Sequence, residues 1–152
     1  MSSSCPECGA PLGDAADCRA LFHELLLLEA RVPGAAGALP HFLAVATYSL
    51  QHPSTFTPAA LEGLRRTVAD VLAGRATLED ARRRARAGAD GATRVSRRSS
   101  DVLTADDRRL LGAWPARWPT TVADVCVVAP EEYAARVRAW AEVTISALES
   151  VP

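Results

Sequence analysis

Three cysteines near the start of the chain have the type and spacing of metal ligands. Cys5 and Cys8 enclose two residues in the sequence CPECG, and Cys18 follows ten residues later. A C-x-x-C pair can hold one ion through two thiolates, and Gly9 lets the backbone turn and point amides at the sulfurs. A redox-active C-x-x-C is the competing interpretation, but that motif needs a preceding strand and a helix that starts on it. Neither pattern is present, so the spacing favours zinc.

A structural zinc site has four ligands, so a fourth residue must complete this one. The candidates are His23, His41, His52 and Cys126. We expect helices over 15–31 and 40–52, and their short connection makes them antiparallel, which brings His52 beside Cys18. His41 and His52 cannot share one ion, because eleven residues of helix separate them by about 16 Å.

The other two candidates have ordinary structural explanations. His23 lies five positions after Cys18, about 500° of helical rotation, and therefore faces another direction. Cys126 lies in the sequence VADVCVVA, which is typical of a buried small hydrophobic residue. The predicted Zn²⁺ ligands are Cys5, Cys8, Cys18 and His52.

A second polar group follows from the same helix pairing, which places His41 beside Glu29 and predicts a hydrogen bond between them. Polar groups in an apolar interior are costly unless they are satisfied or used. A His–Glu pair in a cleft could act as a general base on a small substrate. The structural alternatives are that His41 is a helix-start residue and Tyr48 a core residue. The candidate catalytic residues are Glu29, His41, Tyr48 and Asp124.

The elements that must position these residues are helices. Apolar residues recur every three and four positions, and proline and glycine mark the ends, so we predict an all-α fold, a compact bundle of about five helices. Three prolines fragment the stretch WPARWPTTVADVCVVAP, which we expect to be an extended crossover. The helical segments are expected over 15–31, 40–52, 58–74, 77–87 and 105–112, with a last helix opening at 130.

A length of 152 residues predicts a single domain, because domains commonly have about 150 residues. The hydrophobic and charged fractions, 49% and 23%, exclude a disordered or fibrous chain. We expect four parts in this domain: a zinc-knuckle loop over 1–14, a helical core over 15–87, a flexible loop over 88–103 and a C-terminal helical part over 104–152.

Charge and hydropathy limit the partners. A net charge of −1 gives no global field that favours nucleic acid or an anionic membrane. Among the arginines between 75 and 98, Arg82, Arg83, Arg84 and Arg86 are spread around a helix. No aromatic residue lies among these arginines, so nucleic-acid binding is disfavoured. Purely apolar runs such as Leu25 to Leu28 are far shorter than the ~20 residues of a membrane span, and no signal peptide is visible. We therefore predict a cytoplasmic protein without a membrane partner, monomeric or homodimeric. The arginines between 75 and 98 are Arg75, Arg82, Arg83, Arg84, Arg86, Arg94, Arg97 and Arg98.

The motifs together resemble a known bacterial family. They are CPECG, the helix from Cys18 to Glu29, the block HFLAVATYSLQHP that begins at His41, and the later WPTTVADV and VRAWAE. This pattern is similar to the family catalogued as domain of unknown function 5946, over most of the chain, and the QHP block is its most specific part. The resemblance picks out Cys5, Cys8, Cys18, Glu29, His41, Tyr48, Gln51, His52, Pro53, Asp124 and Trp140.

Two departures from the family pattern bear on function. Ala46 stands where the family usually has Asp, and Arg19 where it usually has Trp. If that Asp orients a histidine or serves chemistry, this chain has lost or relocated the role. The family carries no known reaction, so the resemblance supports fold and metal more than activity.

Two functional hypotheses remain. The first is a helical protein whose Cys3His zinc is structural and which leaves room for a small-molecule pocket. The alternative is an enzyme of hydrolase or lyase type that acts on a small metabolite. Such an enzyme would use the His–Glu pair or, if His52 is not bound, a zinc ion with an open position for water.

Overall fold

The computed structural model describes residues 3–90, 95–98 and 100–151, and within them it contains seven α-helices and no β-strand. The all-α class is therefore confirmed. Two short 3-10 helices, Pro53–Thr55 and Pro130–Glu132, join longer elements. The α-helices are α1 (Cys18–Ala30), α2 (Leu39–Leu50), α3 (Pro58–Leu72), α4 (Leu78–Asp90), α5 (Ala105–Ala113), α6 (Val122–Val125) and α7 (Tyr133–Glu149).

The expected number of helices, about five, was too low. The element that is missing from the expected segments is α6, which lies in the stretch expected to be an extended crossover. The carboxylate of Asp124 accepts a hydrogen bond of 2.8 Å from the backbone N–H of Thr121 and so caps this short helix. A helix of one turn is too short to show a 3.6-residue period, and the prolines flank it rather than interrupt it.

Capping side chains and prolines explain where the longer helices begin. The Asp17 side chain accepts from the N–H of Ala20 at 2.8 Å and starts α1. Pro40 lies in the first turn of α2, where a missing N–H costs nothing. Thr57 caps α3, and Pro58 is its first residue. These local signals account for the helix starts that the sequence indicates.

The packing of α2 against α1 and α7 decides which residues can meet. His41 at the start of α2 contacts Glu29 at the end of α1, and Tyr48 near the end of α2 stacks on Phe22 near the start of α1. These two helices are therefore antiparallel, as predicted. Gln51, just after α2, donates to the hydroxyl of Thr144 at 2.9 Å. Because Tyr133 at the start of α7 contacts Glu29, α2 and α7 run in the same direction. The two ends of α2 therefore lie in two different environments.

The segment between α5 and α6 covers one of these ends. Trp114 donates its indole N–H to the carbonyl of Leu50 at 2.6 Å, and Gln51 donates to the carbonyl of Thr120 at 2.9 Å. Gly9 adopts a φ of 79°, and a Cβ there would stand 3.4 Å from the side chain of Arg117. The glycine thus allows the N-terminal loop to pack closely against this segment.

The remaining expectations about organisation stay predictions. The division of the chain into four parts is not tested, and α4 extends to Asp90. Residues 91–94 and 99, which belong to the expected flexible loop and include Arg94, lie outside the described residues. None of the described helices combines the length and apolar character needed to cross a membrane.

Candidate metal centre and a second polar site

A tight loop brings the first two cysteines together. The N–H of Cys5 donates to the carbonyl of Ala10 at 2.8 Å, and the N–H of Gly9 donates to the carbonyl of Cys5 at 2.9 Å. The left-handed conformation of Gly9, which side chains rarely adopt, closes the turn. The side chain of Glu7 then accepts from the N–H of Ser54 at 3.0 Å and holds the loop against the residues that follow α2.

The structure places the four predicted metal ligands in one cluster. The ligand atoms of Cys5, Cys8, Cys18 and His52 all lie within 4.8 Å of one another. Cys5 Sγ is 3.6 Å from His52 Nε2, and Cys8 Sγ is 3.6 Å from Cys18 Sγ. All four side chains are buried, with at most 7% exposed. The N-terminal loop, the first turn of α1 and the end of α2 meet at this point.

The His52 ring is oriented as a ligand by its surroundings. Its Nδ1 donates a hydrogen bond of 2.7 Å to the backbone carbonyl of Tyr48, which leaves the lone pair of Nε2 for the cluster. The ring stacks on the Tyr48 ring at a centroid distance of 4.0 Å, and Tyr48 stacks on Phe22 at 4.2 Å. These contacts hold the imidazole in one orientation.

The thiols influence each other's ionisation. A hydrogen bond from Cys18 lowers the pKa of Cys8 to about 4. The same bond, with burial and the charge on Cys8, raises the pKa of Cys18 far above its ordinary value. Burial lowers the pKa of His52, but hydrogen bonds to Cys8 and to the Tyr48 carbonyl outweigh it and raise that pKa. The protein alone therefore favours one thiolate of the Cys8–Cys18 pair, and a cation is needed for both.

The donor set and its dimensions fit a tetrahedral ion. A Zn–S bond is about 2.3 Å long, so the sulfurs of a tetrahedral site lie about 3.8 Å apart. The Cys8–Cys18 sulfur distance of 3.6 Å is close to this value. Three thiols and one imidazole are ligands that zinc prefers. The cluster is therefore compatible with one metal ion.

A second polar site lies at the other end of α2. His41 Nδ1 is 2.6 Å from Glu29 Oε1, so the predicted hydrogen bond is present. A third member that the sequence did not indicate is Tyr133, whose hydroxyl donates to Glu29 Oε2. Tyr133 heads the apolar stripe of the last helix, and spacing alone shows only that its ring is buried. Burial and the Glu29 carboxylate together raise the pKa of Tyr133 above its ordinary value.

The other two candidate catalytic residues make different contacts. Tyr48 lies in the wall of the cysteine cluster, stacked on His52. Asp124 caps α6 through the backbone and hydroxyl of Thr121, at 2.8 and 3.2 Å. The contacts of the described residues thus join Glu29 and His41 to Tyr133 rather than to Tyr48 or Asp124.

The two residues set aside in the sequence analysis lie outside the cluster. His23 is exposed on α1. The Cys126 thiol is half-buried and donates to the carbonyl of Ala123 at 3.7 Å. Burial raises the pKa of Cys126, which keeps this thiol protonated at neutral pH.

The arginine-rich region is paired with acids of the same chain. Arg75 and Arg84 both contact Asp70, at 3.0 and 2.9 Å. Arg83 pairs with Asp80 at 3.1 Å, and further along α4 Arg86 pairs with Glu79 at 3.0 Å. These ion pairs balance much of the local positive charge.

Two depressions on the surface lie away from both polar sites. One, of about 290 Å³, lies where the start of α3 meets the residues that precede α5. The other, of about 280 Å³, has Trp114 and Leu148 among its apolar lining residues. The lining of neither depression includes Glu29, His41 or the cysteine cluster.

Comparison with known proteins matches the chain to a protein family. The model of DUF5946, a family of unknown function, matches residues 3–149. No curated protein and no solved structure matches the chain. The matched span contains both the cysteine cluster and the Glu29–His41 pair, so both sites lie within the family's domain.

Proposed function

The chain belongs to DUF5946, a family of unknown function, and from the geometry of its own residues we propose that it is a zinc protein with a closed structural site. Cys5, Cys8, Cys18 and His52 hold one Zn²⁺ in this proposal. The observation that carries it is the meeting of four buried ligand atoms within 4.8 Å. A cytoplasmic location is part of the proposal, because cysteines with metal-ligand spacing are typical of a reducing compartment.

The charge balance of the cluster supports a bound cation. The hydrogen bond between Cys8 and Cys18 leaves one of these two thiols protonated when no cation is near. Zn²⁺ supplies the positive charge that allows each of the three cysteines to bind as a thiolate. The bond from His52 Nδ1 to the Tyr48 carbonyl is the outer contact that metal-bound histidines usually make.

A closed coordination sphere favours a structural role. Catalytic zinc keeps one position for water or substrate, whereas three thiolates and one imidazole fill all four. The burial of all four side chains supports a site that is closed to solvent. The ion would join the N-terminal loop to the start of α1 and the end of α2. Structural zinc sites contribute roughly 10–16 kcal/mol of apparent binding free energy to folding.

Metal analysis of purified protein tests the proposal. Elemental mass spectrometry should find one zinc per chain in the native protein and less in Cys18→Ala and His52→Ala. Cys126→Ala and His23→Ala are the matched controls, because they remove the same residue types outside the cluster. Both controls should keep a full complement of zinc. Cobalt in place of zinc should give the visible bands of tetrahedral thiolate coordination.

Two outcomes would contradict the closed structural site. If His52→Ala keeps full zinc and a stable fold, only the three cysteines bind the ion and one position is open, which favours a catalytic metal. If the native protein contains no metal and forms a Cys8–Cys18 disulfide, thiol redox chemistry is the better explanation.

A further inference from the structure

Glu29 occupies a position that is unfavourable for a carboxylate in two ways. It is only 4% exposed, and burial of a charge is costly unless partners compensate. It also lies in the last turn of α1 (Cys18–Ala30), where the helix dipole is negative and disfavours an anion. The surrounding structure therefore keeps this acid at a cost to stability, as is common for groups that serve chemistry.

The carboxylate determines which nitrogen of His41 carries the proton. Because a carboxylate only accepts hydrogen bonds, the contact of 2.6 Å makes Nδ1 the donor. The lone pair of the neutral ring is then on Nε2. The side chain of His41 is 41% exposed, and the hydrogen bonds found among the described residues engage its Nδ1 only.

Tyr133 holds the carboxylate from the other side. Its fully buried hydroxyl donates to Glu29 Oε2, so each oxygen of the acid has a donor. Because the pKa of Tyr133 is raised, the hydroxyl remains a donor at neutral and mildly alkaline pH. The order Tyr133–Glu29–His41 runs from a buried hydroxyl to an exposed imidazole.

We propose that these three residues form a second functional site, in which His41 is a general base that activates water, and a small acyl ester is the probe of that activity. Nε2 takes a proton from water as the water oxygen bonds to the acyl carbon. The imidazolium, paired with Glu29, returns the proton as the bond from carbon to the leaving oxygen breaks. Water is the only co-reactant, and the products are an acid and an alcohol. His41 is the catalytic residue, and Glu29 and Tyr133 position it.

This site is separate from the metal centre. His41 lies at the start of α2 and His52 follows its end, and the contacts of Glu29 and Tyr133 do not involve the cysteines. The competing explanation is that the network only joins α1, α2 and α7. A test must therefore remove Nε2 and keep the contact to Glu29.

His41→Asn meets this requirement, because the amide nitrogen of Asn takes the place of Nδ1 and can still donate to Glu29. The probe is p-nitrophenyl acetate, and the zinc content of each sample is measured alongside the rate. All proteins carry Cys126→Ser, because the half-buried Cys126 thiol could itself attack an ester. His23→Asn is the matched control on an exposed histidine.

We expect His41→Asn to lower the protein-dependent rate by about 100-fold, the lower range for a positioned base. Glu29→Gln should lower it by about tenfold or more, because the amide has no charge and only one oxygen that accepts a hydrogen bond. His23→Asn should leave the rate unchanged, and the native reaction should be slower in D₂O. Zinc content and circular dichroism should be the same in all variants.

The proposal is overturned if His41→Asn, with a native fold, hydrolyses the ester as fast as the parent. It is also overturned if His23→Asn lowers the rate equally, or if acetyl-His41 accumulates without a solvent isotope effect. Because zinc is measured in the same samples, loss of activity with full zinc is distinguishable from failure of the metal site.

Discussion

The two ends of α2 each present a histidine, and the two imidazoles meet different surroundings. Both rings donate from Nδ1 to an oxygen, at 2.7 Å for His52 and 2.6 Å for His41. The oxygen is a neutral carbonyl for His52 and a carboxylate for His41. Nε2 of His52 faces sulfur atoms in the interior, whereas the His41 ring is partly exposed. The acceptor that Nδ1 meets and the exposure of the ring therefore together decide the chemistry of each histidine.

The largest expected effect on stability comes from the cysteine cluster at the buried end of α2. Removal of the metal by a chelator, or Cys18→Ala, should lower the free energy of unfolding by several kcal/mol, because ligation is part of folding. Thermal denaturation with and without chelator measures the change. His41→Asn, at the other end of the helix, should keep the native sensitivity to chelator. An unfolding midpoint that chelator does not move would mean that the cluster holds no structural ion.

An intermediate effect on stability is expected at the start of α2, where Tyr133 contacts Glu29. Tyr133→Phe removes a hydrogen bond to the buried carboxylate and should cost about 1.5–3 kcal/mol at neutral pH, as for other hydrogen bonds to charged groups. Denaturant titration measures the loss, and zinc content should not change. A difference below about 0.5 kcal/mol, the size of an ordinary surface substitution, would show that Glu29 does not depend on this donor.

The smallest expected effect is a loss of folding stability at alkaline pH. The folded protein raises the pKa of Tyr133, so this residue contributes stability fully below its ordinary pKa of 10.0. Above that value the unfolded chain ionises first, and the contribution is lost as pH rises towards the folded pKa. The pKa of Tyr48 is also raised by burial, so part of the loss remains without Tyr133.

A comparison of native protein with Tyr133→Phe isolates this contribution. The native protein should lose more stability between neutral pH and pH above 10.0 than the variant does. Unfolding midpoints measured across this range give the difference. Equal losses in the two proteins would mean that Tyr133 ionises at the same pH in the folded and unfolded chain.

The sequence predicted the parts of the molecule that local rules govern. Cysteine spacing and the antiparallel pairing of α1 with α2 were enough to bring the four cluster residues together. The same pairing predicted the Glu29–His41 bond. Two further contacts followed rules that were available: Tyr48 is four residues before His52, the spacing of neighbouring side chains on a helix surface. Asp124 has the spacing of a capping residue for Thr121.

The role of Tyr133 could not be predicted from the sequence. It lies 104 residues from Glu29, and only the tertiary packing of α7 brings its hydroxyl to the carboxylate. Helical periodicity shows that the ring is buried but does not show which polar group it meets. The single turn of α6 was missed for a related reason, because four residues carry no period.

Because α2 (Leu39–Leu50) joins the two sites, we expect its backbone to couple the opening motions at one site to those at the other. The helix is packed against α7, and on the proposed ligation its end is tied to the ion through His52. Backbone amides in such an element open to solvent together, as one cooperative unit. Amide hydrogen exchange around His41 should then accelerate when zinc is withdrawn, although no ligand lies there. The metal would thus control how often the exposed imidazole loses its carboxylate partner.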